Sequence, residues 1–238
     1  MRVTKSNAKT AKACLSSTSW NLERAVNHFF SSGHNAGPKV DEKSLRNFYL
    51  KYEDKARKKI MAEGIISLCD DIGVDPQDVV MLVICWHMQA VTMGEFSQEE
   101  FEEGMLEIGV DSSEALKATL PFLRDELNDK FKFRQIYEYS FLFSRENGQK
   151  CVQLDVALSI WPLLITKDKW KHIESWCDFL RTHHKRAVSK DTWMQLLDFI
   201  NIIDDQFTEF DPNGAWPYLI DEFVAFKQNE NEKLQNLD

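Results

Sequence analysis

Between Asp191 and Phe226 the chain carries Asp191, Asp198, Asp204, Asp205, Glu209, Asp211, Asp221 and Glu222, and not one Lys or Arg. Carboxylates at this density can hold a metal ion, move protons, or face a cationic partner. Read as a calcium loop, residues 209–220 put Asp211 and Asn213 at ligand positions and Gly214 at the sharp turn. The last position, which must bring a bidentate carboxylate, is Ile220, and an aliphatic side chain supplies no oxygen. Calcium is therefore not expected, although the loop shape can persist without it. For thiol chemistry the candidate is Cys85, followed by Trp86 and His87. It lies inside the apolar run VVMLVICWHM, where a buried, inert thiol is the plainer reading. His183 and His184, in RTHHKRAVSK, read as a solvated basic helix end. The chain has no zinc-protease signature, no serine-hydrolase elbow and no phosphate-cradling glycine loop.

The elements that must position the acids are helical. A helix starting near Ser189 and running through DTWMQLLDFINIIDDQF turns Trp193, Leu196, Leu197, Ile200, Ile203 and Phe207 inward. The same helix puts Asp191, Asp198 and Asp205 in a stripe on its other side. A second helix begins after AWP, where Pro217 suits the first turn. Its inner face is Leu219, Ile220, Phe223 and Val224, with Asp221 and Glu222 pointing elsewhere. A helix face kept merely soluble mixes signs, because i, i+4 pairs of opposite charge stabilise and like pairs repel. The absence of any base therefore points to a docking face for a basic protein, which gains on-rate and orientation from the field.

With 238 residues, 43% of them hydrophobic, the chain is long enough for one sizeable core and a smaller unit. A net charge of −9 argues against nucleic acid or an anionic membrane as the main partner. Cys14, Cys69, Cys85, Cys151 and Cys177 lie far apart with no CxxC pair, as expected of a reduced protein without a zinc site or disulfide framework. No run approaches the roughly 20 apolar residues of a membrane span, and MRVTKSNAKTAK lacks the apolar core of a signal peptide. A soluble protein of the cytoplasm, the nucleus or both is expected. NLERAVNHFF has helical spacing at Leu22, Ala25, Val26, Phe29 and Phe30, with Asn21 as its cap; NAKTAKACL can form another helix. The polar SSGHNAGPKVD marks a linker over residues 32–41. Helical spacing resumes at Leu45, Phe48, Tyr49 and Tyr52, broken only by GVDP, TMGEFS, GVDSS, ENGQK and DPNG, and long alternating patterns are missing. The organisation is thus a short segment 1–31, the linker, an all-α domain over 42–227, and a polar tail 228–238 expected to fray.

Several separate motifs in order carry a resemblance. SKDTWMQLLDF (189–199), GAWPYLIDEFV (214–224), LCDD (68–71), EFSQEEFEEGMLEIGVDS (95–112), GQK (148–150) and WCDFLRTHHK (176–185) together resemble the defective-in-cullin-neddylation family, over about residues 42–227. The resemblance implies an all-helical domain of two EF-hand-like halves that bind no calcium. It also implies a non-catalytic scaffold that promotes attachment of a ubiquitin-like modifier to cullins, with no cofactor. The family presents an Asp, an Ala and a second Asp to the basic winged-helix subdomain of the cullin, and the matching positions are Asp191, Ala215 and Asp221. A second family site, an apolar pocket for the acetylated N-terminal Met of the conjugating enzyme, maps by position to Ile65, Met81, Ile84, Met88, Phe96, Phe143 and Leu163. The chain departs from many members in having Met93-Gly94 for a frequent Gln-Cys pair, and Ala62 for a larger aliphatic. CLSSTSWNLERAVNHFF resembles the second and third helices of a ubiquitin-associated domain without the first, so ubiquitin binding is not assigned. The competing readings are a thiol-dependent transferase of the same pathway, and a calcium-free EF-hand-like interaction module for another basic partner.

Overall fold

The protein is described from a computed structural model covering residues 8–18, 20–31, 40–211 and 214–235. Two short helices, α1 (Ala8–Ser17) and α2 (Leu22–Ser31), form a pair around buried Cys14 and Ala25 with Leu15 against them. Asn21 caps α2 by accepting the Arg24 N–H at 2.9 Å. The side chains of Val26, Phe29 and Phe30, and residues 32–39 of the expected linker, lie outside the described residues. Asp41, assigned to the linker, is the N-cap of α3 and accepts the Ser44 N–H.

From there the chain alternates helices and short loops: α3 (Glu42–Tyr52), α4 (Ala62–Ile72), α5 (Val79–Met88), α6 (Gln98–Ile108), α7 (Ser113–Asp125), α8 (Lys130–Phe143), α9 (Leu154–Leu164), α10 (Ile173–Phe179), α11 (Lys190–Ile202) and α12 (Tyr218–Gln235). Local signals set many of the ends. Ser97 and Glu100 form a reciprocal capping box before α6, and Gly73 and Gly109 stop α4 and α6 in the left-handed conformation that glycine adopts without a Cβ penalty. A 3-10 turn (Glu126–Asn128) precedes α8, and a π-helical turn (Leu180–His184) extends α10. No helix among the described residues is long and apolar enough to cross a membrane.

Among the described residues, strand pairing is confined to β1 (Glu53–Asp54), its antiparallel partner β2 (Lys59–Ile60), and two isolated bridges. Ile60 and Phe96 exchange backbone hydrogen bonds of 2.9 and 2.8 Å, tying the loop between α3 and α4 to the loop between α5 and α6. Val152 and Val188 do the same at 2.9 and 2.7 Å, tying the loop after α8 to the loop before α11. Each half of the domain is therefore two helix–loop–helix units joined by one antiparallel bridge.

A single apolar cluster runs through both halves. In the first, the Phe101 ring meets Phe48 edge-on at 5.0 Å. In the second, Trp161 and Trp193 stack at 4.8 Å, and Tyr137 links them: its hydroxyl donates to the Trp193 carbonyl at 2.8 Å and accepts from Trp161 Nε1 at 2.9 Å, while Trp193 Nε1 donates to the Tyr137 carbonyl at 3.0 Å. Every polar atom in this buried knot is satisfied, so α8, α9 and α11 are fixed in one register.

Two further sequence expectations are corrected. The helix expected from Ser189 through Phe207 ends at Ile202, because the Asp204 carboxylate accepts the Gln206 N–H at 2.6 Å and a bond from the Thr208 hydroxyl. Those side-chain bonds compete with helical ones. Ile203 and Phe207 are nonetheless buried, reached by an irregular turn with Phe207 at φ 58°. At the other end of the domain, α12 overruns the expected boundary at 227 and carries the polar segment as helix to Gln235.

Helices α5 and α6 cross most closely at Gly104, where a Cβ would stand 2.6 Å from Met88 Cα and 2.8 Å from its nitrogen. Backbone cannot yield as a side chain can, so Gly104→Ala is expected to cost about 3 kcal/mol, read as a lowered urea midpoint at unchanged slope.

Candidate functional site

The acidic region is built on the starts of α11 and α12. Ser189 caps α11 by accepting the Thr192 N–H at 3.1 Å, so the first turn presents Asp191 outward, near the positive pole of the helix. Lys190, next to it, is held elsewhere: its ammonium pairs with Glu138 of α8 at 2.8 Å. Asp191 is exposed and makes no ion pair among the described residues.

The rest of the expected stripe is corrected by folding. Arg134 of α8 pairs with Asp198 at 2.5 Å, and Lys171 pairs with Asp205 at 3.4 Å. Asp204 is occupied with its own turn, and the Thr208 hydroxyl bond holds its carboxyl below the usual range. The uncompensated face is therefore narrower than the sequence implies.

On α12, Asp221 does not point freely outward as expected. It is half-buried, its Oδ1 is sealed from solvent without a hydrogen-bond partner, and burial raises its pKa. Glu222 is exposed and accepts from the Tyr218 hydroxyl, which raises the phenol pKa. Ala215 is exposed in the segment leading into α12, beside Trp216, whose indole packs edge-on against Phe199 of α11 at 5.4 Å. Phe223, one turn into α12, lies within an aromatic cluster with Trp170, Trp176 and Phe179 at 5.2–5.7 Å. Between the two helix starts opens a cleft of about 460 Å³ lined by Ser189 and Thr192 on one side and Tyr218 and Glu222 on the other. His183, His184 and Arg186 line it too, so the basic turn read as a separate solvated end shares this cleft. The His183 ring is stacked on Phe179 at 5.1 Å.

A second feature is an apolar cavity of about 370 Å³ between α4, α5, the loop before α6, and α9. Five of the seven residues assigned to an apolar pocket, Ile65, Met81, Phe96, Phe143 and Leu163, line it together. Ile84 and Met88 do not: both are core, Met88 two turns beyond Met81 and packed on Gly104. The wall also includes Leu82, Cys85 and Ile160, with Met93 and Gly94 at one side. Helix α5 is buried on nearly every face, so its periodicity holds no sign of which side borders a cavity. At the rim, Asp78 caps α5 and grips Arg124 with both oxygens, at 2.7 and 2.5 Å, which lowers its pKa.

DCN1-like protein 5 of Rattus norvegicus is 35% identical over 190 residues, covering 74% of this chain and 80% of the relative. The chain belongs to the DCN1-like family. Human DCN1-like protein 5 is 36% identical over 166 residues, 70% of each chain, and DCN1-like protein 4 of Danio rerio is 40% identical over 164 residues, 69% of this chain and 58% of the relative. The family described as cullin binding matches residues 115–226, which contain Asp191, Ala215 and Asp221, and a UBA-like domain matches residues 1–35. As a DCN1-like protein it is thus the defective-in-cullin-neddylation member that its motifs resemble.

Three of the five thiols are poorly placed for covalent chemistry. Cys69 and Cys177 are buried and their thiols are pushed up to about 11, while Cys85 is pushed higher still by complete burial. The thiolate is the nucleophile, so such groups are inert near neutral pH. Among the described residues no group of three or more His, Cys, Asp or Glu is arranged to hold a metal; positions 212 and 213 of the calcium-type loop lie outside them.

Burial that raises the Asp221 pKa disfavours the folded carboxylate above that pKa, and protonation relieves the cost as pH falls through it. Asp221→Asn is therefore expected to unfold at a higher temperature than the parent at neutral pH, with the gap closing in acid. A lower melting point at neutral pH would show that the sealed oxygen carries no strain.

Proposed function

We propose that the chain is a non-catalytic scaffold that promotes cullin neddylation by holding the cullin winged-helix subdomain and the N-acetylated conjugating enzyme at once. The observation that carries this reading is the state of the two acids at the helix starts. Folding neutralises Asp198 and Asp205 internally yet leaves Asp191 open and one Asp221 oxygen sealed and unpartnered. Basic residues of a partner laid over Ala215 would meet Asp191 and the Asp221 oxygen that is not sealed, and the methyl group of Ala215 is small enough to allow that approach. The DCN1-like relatives and the cullin-binding match over residues 115–226 support cullin as that partner.

The apolar cavity supports the second half of the reading. Its walls are aliphatic, aromatic and sulfur-bearing, and it would accept an acetylated Met end while rejecting a bare ammonium, whose burial without a counter-ion is costly. The scaffold would then work by proximity. Tethering two partners raises their local concentration to the order of mM and overall avidity by roughly 10² to 10⁴, so the cullin lysine meets the thioester in an effectively intramolecular step.

Three outcomes are expected in a reconstituted assay. Asp191→Arg or Asp221→Arg weakens cullin binding in calorimetry by at least about 2 kcal/mol, and raised salt weakens the parent complex. Leu163→Arg leaves cullin binding intact but removes the preference for acetylated over unacetylated conjugating enzyme. A variant with every cysteine replaced by serine still stimulates modification. Parental cullin affinity in the double Asp191→Arg, Asp221→Arg variant would sink the docking face.

A further inference from the structure

A slot of about 250 Å³ opens between the turn before α8, the chain after α9, and the last turns of α11. Leu127, Phe133, Ile165, Leu197 and Ile200 make its walls. Its polar groups are few. Asn201 Nδ2 is spent on the Leu197 carbonyl at 2.8 Å and Asn128 Nδ2 on Asp125 at 3.0 Å. What remains is Lys130 and the Lys169 ammonium, the latter 3.5 Å from the centroid of the Phe133 ring and donating to the Leu127 carbonyl at 3.2 Å.

Neighbouring lysines are neutralised: Lys132 pairs with Glu126, Lys167 with Glu174 and Lys171 with Asp205. Among the described residues Lys169 has no carboxylate partner, and neither has Lys130, which lines the same slot. Solvent reaches the Lys169 side chain, yet the position of its ammonium against ring and wall lowers its pKa by desolvation. Positive charge thus stays without a carboxylate partner at this apolar slot. An ammonium has three donors; one is on the Leu127 carbonyl and one faces the Phe133 ring, which leaves the third for a carboxylate oxygen. A phosphate would lose too much hydration against aliphatic walls. The volume lies below the roughly 300–1,000 Å³ of sites for drug-sized ligands, which limits the tail to a few carbons.

We propose that this slot binds a short-chain aliphatic monocarboxylate, with its tail among Ile165, Leu197 and Ile200 and its carboxylate on the Lys169 ammonium. The site shares no residue with the cullin-docking acids or the apolar cavity, and the proposal does not rest on the proposed function.

The test titrates hexanoate into the full chain, followed by saturation-transfer NMR, with hexanamide as the neutral isostere. Hexanamide is expected to bind at least about tenfold more weakly, because the charge-assisted bond is lost. Lys169→Met should lose a similar factor, Lys169→Arg should retain binding, and Ile200→Trp should fill the slot and abolish it. Affinity should fall as pH rises through the lowered Lys169 pKa. No hexanoate signal, equal binding of acid and amide, or undiminished binding to Lys169→Met would each overturn the site. Should Lys169→Met not fold, the amide comparison on the parent chain still decides. A Leu-terminated tripeptide that displaces hexanoate at lower concentration would overturn the small-acid assignment in favour of a peptide carboxyl end.

Discussion

The geometry of the acidic face depends on a buried knot of three aromatic residues. Tyr137, Trp161 and Trp193 exchange three hydrogen bonds while two of their rings stack, and none of their polar atoms is left unpaired. Trp193 lies two residues after Asp191, so the knot that registers α11 against α8 and α9 also fixes where the first turn of α11 emerges. A buried polar network of this kind specifies a unique arrangement, because any slip of register would leave donors and acceptors stranded in a low-dielectric core. The same helix then carries its consequences outward. Arg134 and Glu138, on the helix that contributes Tyr137, reach across to Asp198 and Lys190, and so decide which charges of α11 stay available.

Much of the fold was legible because helices announce themselves locally. The cap at Ser189, the apolar spacing through Trp193, Leu196 and Leu197, and Pro217 ahead of α12 are all short-range signals, and the structure places helix starts there. The all-α organisation follows from many such signals. The stop at Ile202 was less visible, since it depends on whether Asp204 bonds to its own turn or to solvent. The extent of α12 was hidden for the opposite reason, because its polar end has helix-forming residues but no buried face to reveal them.

The candidate site was only half legible. A run without bases is easy to see, yet Arg134 meets Asp198 across 64 positions of sequence, and no reading along the chain finds that pair. Likewise the sealed oxygen of Asp221 is a property of packing, not of spacing. In the apolar cavity the difficulty is different. Helix α5 is hydrophobic all round, so Met81 and Cys85 on the cavity wall look the same in sequence as Ile84 in the core. Chemistry can be read from residue types, but which side of a fully apolar helix meets empty space cannot.

The bridge between Val152 and Val188 has a further meaning. It clamps the loop that follows Phe143, a cavity residue, to the residue just before the cap of α11. Two backbone hydrogen bonds thus join the framework of the cavity to that of the acidic face. On the proposed function one copy must hold both partners at once. Such an adaptor helps only up to a point, since in excess each partner is captured by a different copy and the pair it is meant to unite is kept apart.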